Sequence, residues 1–259
     1  MAHNSHDESP VTIAGRETVA ILVDGAFYLR RAHYLWGEKS PKERADELVT
    51  YCKRHLKNHI GGYPAEDRLY RIFYYDCSPA KDNIYNPLTK KSECLQKTKT
   101  YKWAVDFHEE LKIKSKVALR FGRLSSENYY YLSPEATKKL LSGALLATDI
   151  QQSDLRSSIG QKGVDMKLGL DIASMAYKKQ VTKMVLITGD SDFVPAAKLA
   201  RREGVEVVLD CLFAGISDDL NEHIDGKYSR CVNPNVNPTE AAKDPLAKKK
   251  LDNMKTAGE

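Results

Sequence analysis

The sequence predicts an α/β fold: a mostly parallel central sheet with helices on both of its faces. Four short apolar runs, at 18–23, 68–75, 184–188 and 205–209, have the β-branched and aliphatic make-up of strands covered on both sides. Segments with helical apolar spacing alternate with these runs, the pattern of strand–helix–strand crossovers. The chain also has the material for a substantial core, with 259 residues of which 42% are hydrophobic. A further short strand at 117–123 fits the same sheet.

The remaining composition narrows the setting. No apolar run is long enough to span a bilayer, and the opening MAHNSHDESP has neither the basic start nor the apolar centre of a signal peptide. A soluble, cytoplasmic protein without a membrane partner is expected. Five cysteines (Cys52, Cys77, Cys94, Cys211, Cys231) form an odd set with no CxxC pair, which speaks against a disulfide framework or a zinc site.

In chain order, residues 1–17 read as a flexible arm. The first strand ends at Asp24-Gly25, ahead of a helix over 26–36, so Asp24 stands at a strand's carboxyl end. In open α/β sheets ligands collect at that edge. Ser40-Pro41 opens a second helix running to about Asn58, where Gly61-Gly62 breaks it. That helix would carry His55 and His59 at i and i+4 on an exposed face, without the third ligand of a metal site. The second strand, Arg68 to Tyr75, leads into an irregular stretch, Ala80 to Thr98. A helix over Lys99 to Lys112 and a strand over Val117 to Leu124 follow.

Residues 125–160 carry the weakest pattern. Tyr129 to Tyr131 suits a strand or packing surface better than a base-stacking platform. A helix over Pro134 to Ala147 and a polar, mobile stretch from Asp149 to Lys162 are expected. After the late strands come a helix over Ser217 to Tyr228 and a polar tail, 233–259. One domain, 18–232, is therefore predicted, with an insertion at about 125–160.

Charge is uneven. Residues 90–123 hold ten Lys/Arg against four Asp/Glu, within a chain of net charge +5. This suits a polyanion such as nucleic acid, and it also suits a solvated helix face. Lys99, Lys102, Arg120, Arg123 and Lys162 are candidates for contacting a phosphate backbone, with Arg30 beside them.

The acids carry the chemistry. Gly189-Asp190-Ser191-Asp192 follows a buried strand and precedes a helix, where one cap is expected; one cap does not explain two carboxylates. Asp165 opens another helix, whose stripe is Val164, Leu168, Ile172 and Met175. Asp171 projects about 120° from Asp165 and is expected to make an internal hydrogen bond or salt bridge. Asp24, Asp165, Asp190 and Asp192 at one sheet edge would repel each other unless a cation neutralised them. All-oxygen ligation suits Mg²⁺ or Mn²⁺. Such a metal polarises a phosphoryl oxygen and activates water for in-line attack on a phosphodiester, leaving a 5′-phosphate and a 3′-hydroxyl. Thr188 and Ser191 either contact the metal's water or a phosphate, or serve as caps.

The motifs VAILVDG at 19–25, FGRL at 121–124, KGVD at 162–165 and VLITGDSDFVPAAKLARREGVEVVL at 185–209, with ISDDLNEHIDGKY at 216–228, resemble the NYN family of PIN-like nucleases. The resemblance implies a PIN-like, Rossmann-like α/β sandwich and a metal-dependent ribonuclease acting on RNA. It places the metal site on Asp24, Asp165, Asp190 and Asp192, and a structural acid at Asp225. A homodimer is in keeping with the family. One position departs: the family's first motif is Asp-Gly-x-Asn, and here Phe27 stands in the amide's place. A catalytically weak PIN-like module that binds RNA or protein is the alternative this departure raises.

Overall fold

The computed structural model of the protein describes residues 16–60, 63–125 and 129–233. The chain begins with β1 (Thr18–Asp24), α1 (Gly25–Trp36) and α2 (Pro41–Arg54), followed by a hairpin of β2 (Lys57–Ile60) and β3 (Tyr63–Glu66). Next come β4 (Arg68–Cys77), a second hairpin of β5 (Asn83–Asn86) and β6 (Lys91–Cys94), α3 (Lys99–Lys112) and β7 (Val117–Leu124). The middle region holds β8 (Tyr130–Leu132), α4 (Pro134–Leu141), β9 (Leu155–Ser157) and β10 (Gln161–Lys162). The last third holds α5 (Val164–Tyr177), β11 (Lys183–Ile187), α6 (Val194–Arg202), β12 (Glu206–Asp210), α7 (Asp218–Glu222) and β13 (Gly226–Lys227).

Seven strands form the central sheet in the order β10, β7, β4, β1, β11, β12, β13. All neighbours are parallel except β10 with β7. The expected α/β sandwich is thus present. Alternation along β1 explains its two covered faces. Val19, Ile21 and Val23 join Tyr28 of α1, Leu48 of α2 and Phe107 of α3 in one core. Ala20 and Leu22 join Leu168 and Ile172 of α5 and Ala197 of α6 in the other. The α5 stripe of Val164, Leu168, Ile172 and Met175 is buried as its spacing implied. Among the described residues no helix is long and apolar enough to cross a membrane. All five cysteines are free thiols.

Several boundaries differ from expectation. α2 starts at a capping box in which Ser40 Oγ accepts from the Glu43 amide and Glu43 Oε2 accepts from the Ser40 amide, but it stops at Arg54. His55 turns inward instead of continuing an exposed face. Its Nε2 lies 2.9 Å from Oδ2 of Asp210, both side chains fully buried. Asp210 also accepts from the Tyr51 and Ser229 hydroxyls and from the Leu212 amide, tying the 228–231 segment to α2. His59 lies on β2, so the two imidazoles share no helix. Gly61-Gly62, expected to break α2, lies outside the described residues.

The stretch 80–98 is not irregular: it folds as the β5–β6 hairpin and a single 3₁₀ turn. α4 ends at Leu141 rather than Ala147, and the stretch expected to be mobile supplies β9, paired with β8, and β10, paired with β7. Tyr130 and Tyr131 belong to a strand, as their composition suggested. The final helix covers only 218–222, because Asp225 is drawn off to bond β12 and Gly226 enters β13. The expected arm and tail lie outside the described residues, apart from 16–17 and 233.

Candidate active site

The strand order determines where a site can form. The chain steps outward from β1 to β4 to β7, then returns across β1 to β11 and β12, so the crossover direction reverses between β1 and β11. Loops leaving the carboxyl ends of two such strands diverge and open a crevice. Val23 pairs with Ile187 in register, which brings Asp24 beside Thr188 and the Gly189–Asp192 turn.

Asp24 ends β1 and caps α1, its Oδ1 accepting from the Phe27 amide at 3.0 Å. Its Oδ2 accepts from Thr188 Oγ1 at 3.2 Å, and the same hydroxyl accepts from the Asp190 amide at 3.2 Å. Asp190 in turn caps the turn that follows, its Oδ1 accepting from the Asp192 amide at 2.9 Å. The cap expected among 190–192 is therefore Asp190, which leaves Ser191 and Asp192 exposed. Thr188 is buried, so it braces two acids from beneath and is not placed to meet a substrate.

Asp165 reaches the same edge from another direction. β10 pairs with the end of β7, Lys162 opposite Arg123, and Gly163 in a left-handed conformation (φ 76°) turns the chain into α5. Gly122 makes this seat possible: a Cβ there would stand 2.7 Å from both the Lys162 carbonyl and Val164 Cγ2. FGRL and KGVD are two halves of one junction.

The electrostatics tie the acids together. Burial pushes the Asp24 carboxyl above the usual carboxylate range; the Phe27 amide, Thr188 and Arg30 oppose the rise and Asp190 adds to it. Asp165 is also raised, first by partial burial and then by Asp190, Asp24 and Asp192. All four predicted acids thus act within one field. Among the described residues, however, no three His, Cys, Asp or Glu side chains already converge into a group that could hold a metal ion. The donor set, carboxylates without imidazole or thiolate, fits a hard divalent cation.

Asp171 accepts from Tyr75 Oη at 2.8 Å and Arg120 Nε at 2.9 Å, the internal role expected of it. Arg120, the candidate backbone contact, donates this bond from Nε, lies over the Phe73 ring at 5.1 Å and keeps its side chain 41% exposed. Asp225 accepts from Arg201 Nε and the Val207 amide, both at 2.8 Å, and is structural. Lys99 and Lys102 are exposed on the first turn of α3, and Arg123 and Lys162 are exposed opposite each other. Phe27 is turned into the core, and a Cβ on Gly189 would lie 2.8 Å from its ring. Sequence reasoning missed Asp76, the last residue but one of β4. Asp76 is buried, with Oδ2 3.1 Å from His108 Nε2 and Oδ1 accepting from Gln161 Nε2 at 2.7 Å.

The NYN domain family model matches residues 82–227, over half of the chain, and contains Asp165, Asp190 and Asp192 while starting after Asp24. No curated protein matches the chain. A crystal structure of a protein of unknown function from Vibrio parahaemolyticus RIMD 2210633 is similar over 83% of this chain and 94% of that one, at 15% identity and a TM-score of 0.42. With a parallel sheet flanked by helices and a family match across its later strands, the chain belongs to the NYN domain family, whose members are PIN-like nucleases.

Proposed function

We propose that the protein is a metal-dependent ribonuclease whose metal ligands are Asp24, Asp165, Asp190 and Asp192, with Mg²⁺ or Mn²⁺ as the ion. The observation that supports this is the gathering of the four acids at the sheet's reversal point, where burial raises the carboxyls of Asp24 and Asp165 and the neighbouring acids add to the rise. A divalent cation bound there neutralises that repulsion, polarises a phosphoryl oxygen and lowers the pKa of water. The chain's own groups do the rest. Thr188 holds Asp24 and Asp190 in place, and Asp165 is suited to accept the proton of the attacking water. Arg123 and Lys162, like charges directly opposite on paired strands, are relieved by a phosphate between them and so draw the backbone toward the acids. Lys99 and Lys102 extend the positive surface. A cytoplasmic setting accords with the free thiols.

The alternative is a module of this family that binds without cutting, favoured by Phe27 in place of the family's amide. The deciding experiment incubates labelled single-stranded RNA, structured RNA and DNA with the protein in Mg²⁺, Mn²⁺ or EDTA, beside Asp24→Asn and Asp192→Asn. RNA cleavage that requires metal and falls at least about 100-fold in both variants is expected. Cleavage surviving EDTA overturns the assignment, and binding without cleavage supports the alternative.

A further inference from the structure

A cleft of about 640 Å³ opens at the same edge of the sheet as the acids. Ala26, two residues beyond Asp24, lies on one side of it, and Gln161, four residues before Asp165, lies on another. Leu29, Leu95, Tyr130 and Ile159 give it apolar walls. Asp76 and His108 are its buried polar residues. Asp76 spends both oxygens on positioning its neighbours: Oδ1 accepts from the Cys77 amide and Gln161 Nε2, each at 2.7 Å, and Oδ2 from His108 Nε2 at 3.1 Å and Tyr74 Oη at 3.4 Å. Gln161 is thereby held with its Oε1 and second amide hydrogen bonded to nothing among the described residues. An acceptor beside a donor is the pattern that pairs with the edge of a nucleobase.

The charge of the lining says which part of a nucleotide enters. Its described residues include two carboxylates, Asp76 and Glu93, and no Lys or Arg. Such a cleft repels a phosphate and accepts a flat, neutral ring. Cations stand just outside it: a neighbouring depression meets the cleft at Leu29 and Thr100 and is lined by the exposed Lys99 and by Lys39, which is paired with Glu47, with Glu38 beside them. The two together alternate a place for a base with a place for a phosphate.

We propose that this cleft is a base-binding subsite that takes one unstacked nucleobase of a strand whose backbone crosses Asp24 and Asp165. The preferred substrate is therefore single-stranded, because a paired base cannot leave its stack to enter. This inference rests on the nuclease reading for its position relative to the scissile bond, but not for the binding itself.

The test separates the two. Binding of a fluorescent single-stranded RNA is measured by anisotropy without divalent metal, for a series in which one abasic nucleotide is moved along the strand; cleavage is measured separately in Mn²⁺. Ala80→Trp fills the cleft from its rim, and Gln161→Leu removes the paired donor and acceptor. One abasic position costing roughly tenfold or more in affinity is expected, together with a similar loss in both variants and no change in duplex affinity. Uniform tolerance of abasic positions, or unchanged single-strand affinity in both variants, overturns the subsite whether or not the protein cleaves. A position-dependent loss in a protein that never cleaves upholds the subsite and overturns the nuclease. If the variants lose affinity for single strand and duplex alike, the cleft is no base pocket.

Discussion

Thr188 holds the candidate site together through a single hydroxyl, donating to Asp24 and accepting from the Asp190 amide. Groups that orient metal ligands commonly contribute 10–100-fold to metal affinity or activity. Thr188→Val keeps the shape and deletes the hydroxyl, so it is expected to weaken Mn²⁺ affinity by about that factor, measured by calorimetric titration, while circular dichroism shows an intact fold. At this scale the sequence exposed the acids that follow apolar strands into turns, Asp24 and the Asp190–Asp192 pair, because strand composition and turn residues are local. Asp76 and Asp210 also lie at the carboxyl ends of strands or next to them, yet their roles depend on His108, Gln161, Tyr51 and His55, partners far away in the chain. Phe27 shows the converse: the motif marks its departure, but only packing against Gly189 shows that it belongs to the core.

Among the elements, α1 sits unusually close to β4. A Cβ at Gly25 would lie 2.6 Å from Tyr74 Cζ, Tyr74 Oη and the Tyr75 carbonyl oxygen. The last of these is main chain in the centre of the sheet and cannot swing aside. Gly25→Ala is expected to cost about 3 kcal/mol in urea denaturation, the upper part of the range for overpacking a core, and to lower activity by displacing Asp24. The central strands and long helices were readable in the sequence because burial on both faces leaves unbroken apolar runs and because α3 and α5 keep helical spacing. The hairpins β2–β3 and β5–β6 were not. Their strands are only four residues each; β3 and β6 are largely exposed, and β5 buries just Ile84 and Asn86, too little to leave an apolar pattern. The helical spacing carries past the true end of α2 for a related reason: that end is fixed by the burial of His55 against Asp210, a tertiary contact.

For the molecule as a whole, the raised carboxyls make a thermodynamic statement. An acid whose folded pKa lies above its unfolded value loses stability as it ionises, so at neutral pH the metal-free fold bears a cost at Asp24 and Asp165. A cation bound only by the folded state reverses that cost. At a free metal concentration 100-fold above Kd it adds about 2.7 kcal/mol, which for a domain of this size raises Tm by roughly 5–10 °C. Mn²⁺ is expected to produce such a shift by differential scanning calorimetry and EDTA to erase it. Asp24→Asn should raise the metal-free Tm and abolish the response to metal.

The pairing of β1 with β11 has a consequence in time as well as in space. Asp24 and Thr188 stand 164 positions apart, with α1, α2, α3, β4 and β7 between them. On a ribosome, the first strand emerges long before the strand that completes the crevice, and Asp24 waits alone while most of the domain is made. The crevice is then among the last parts of the fold that the nascent chain completes.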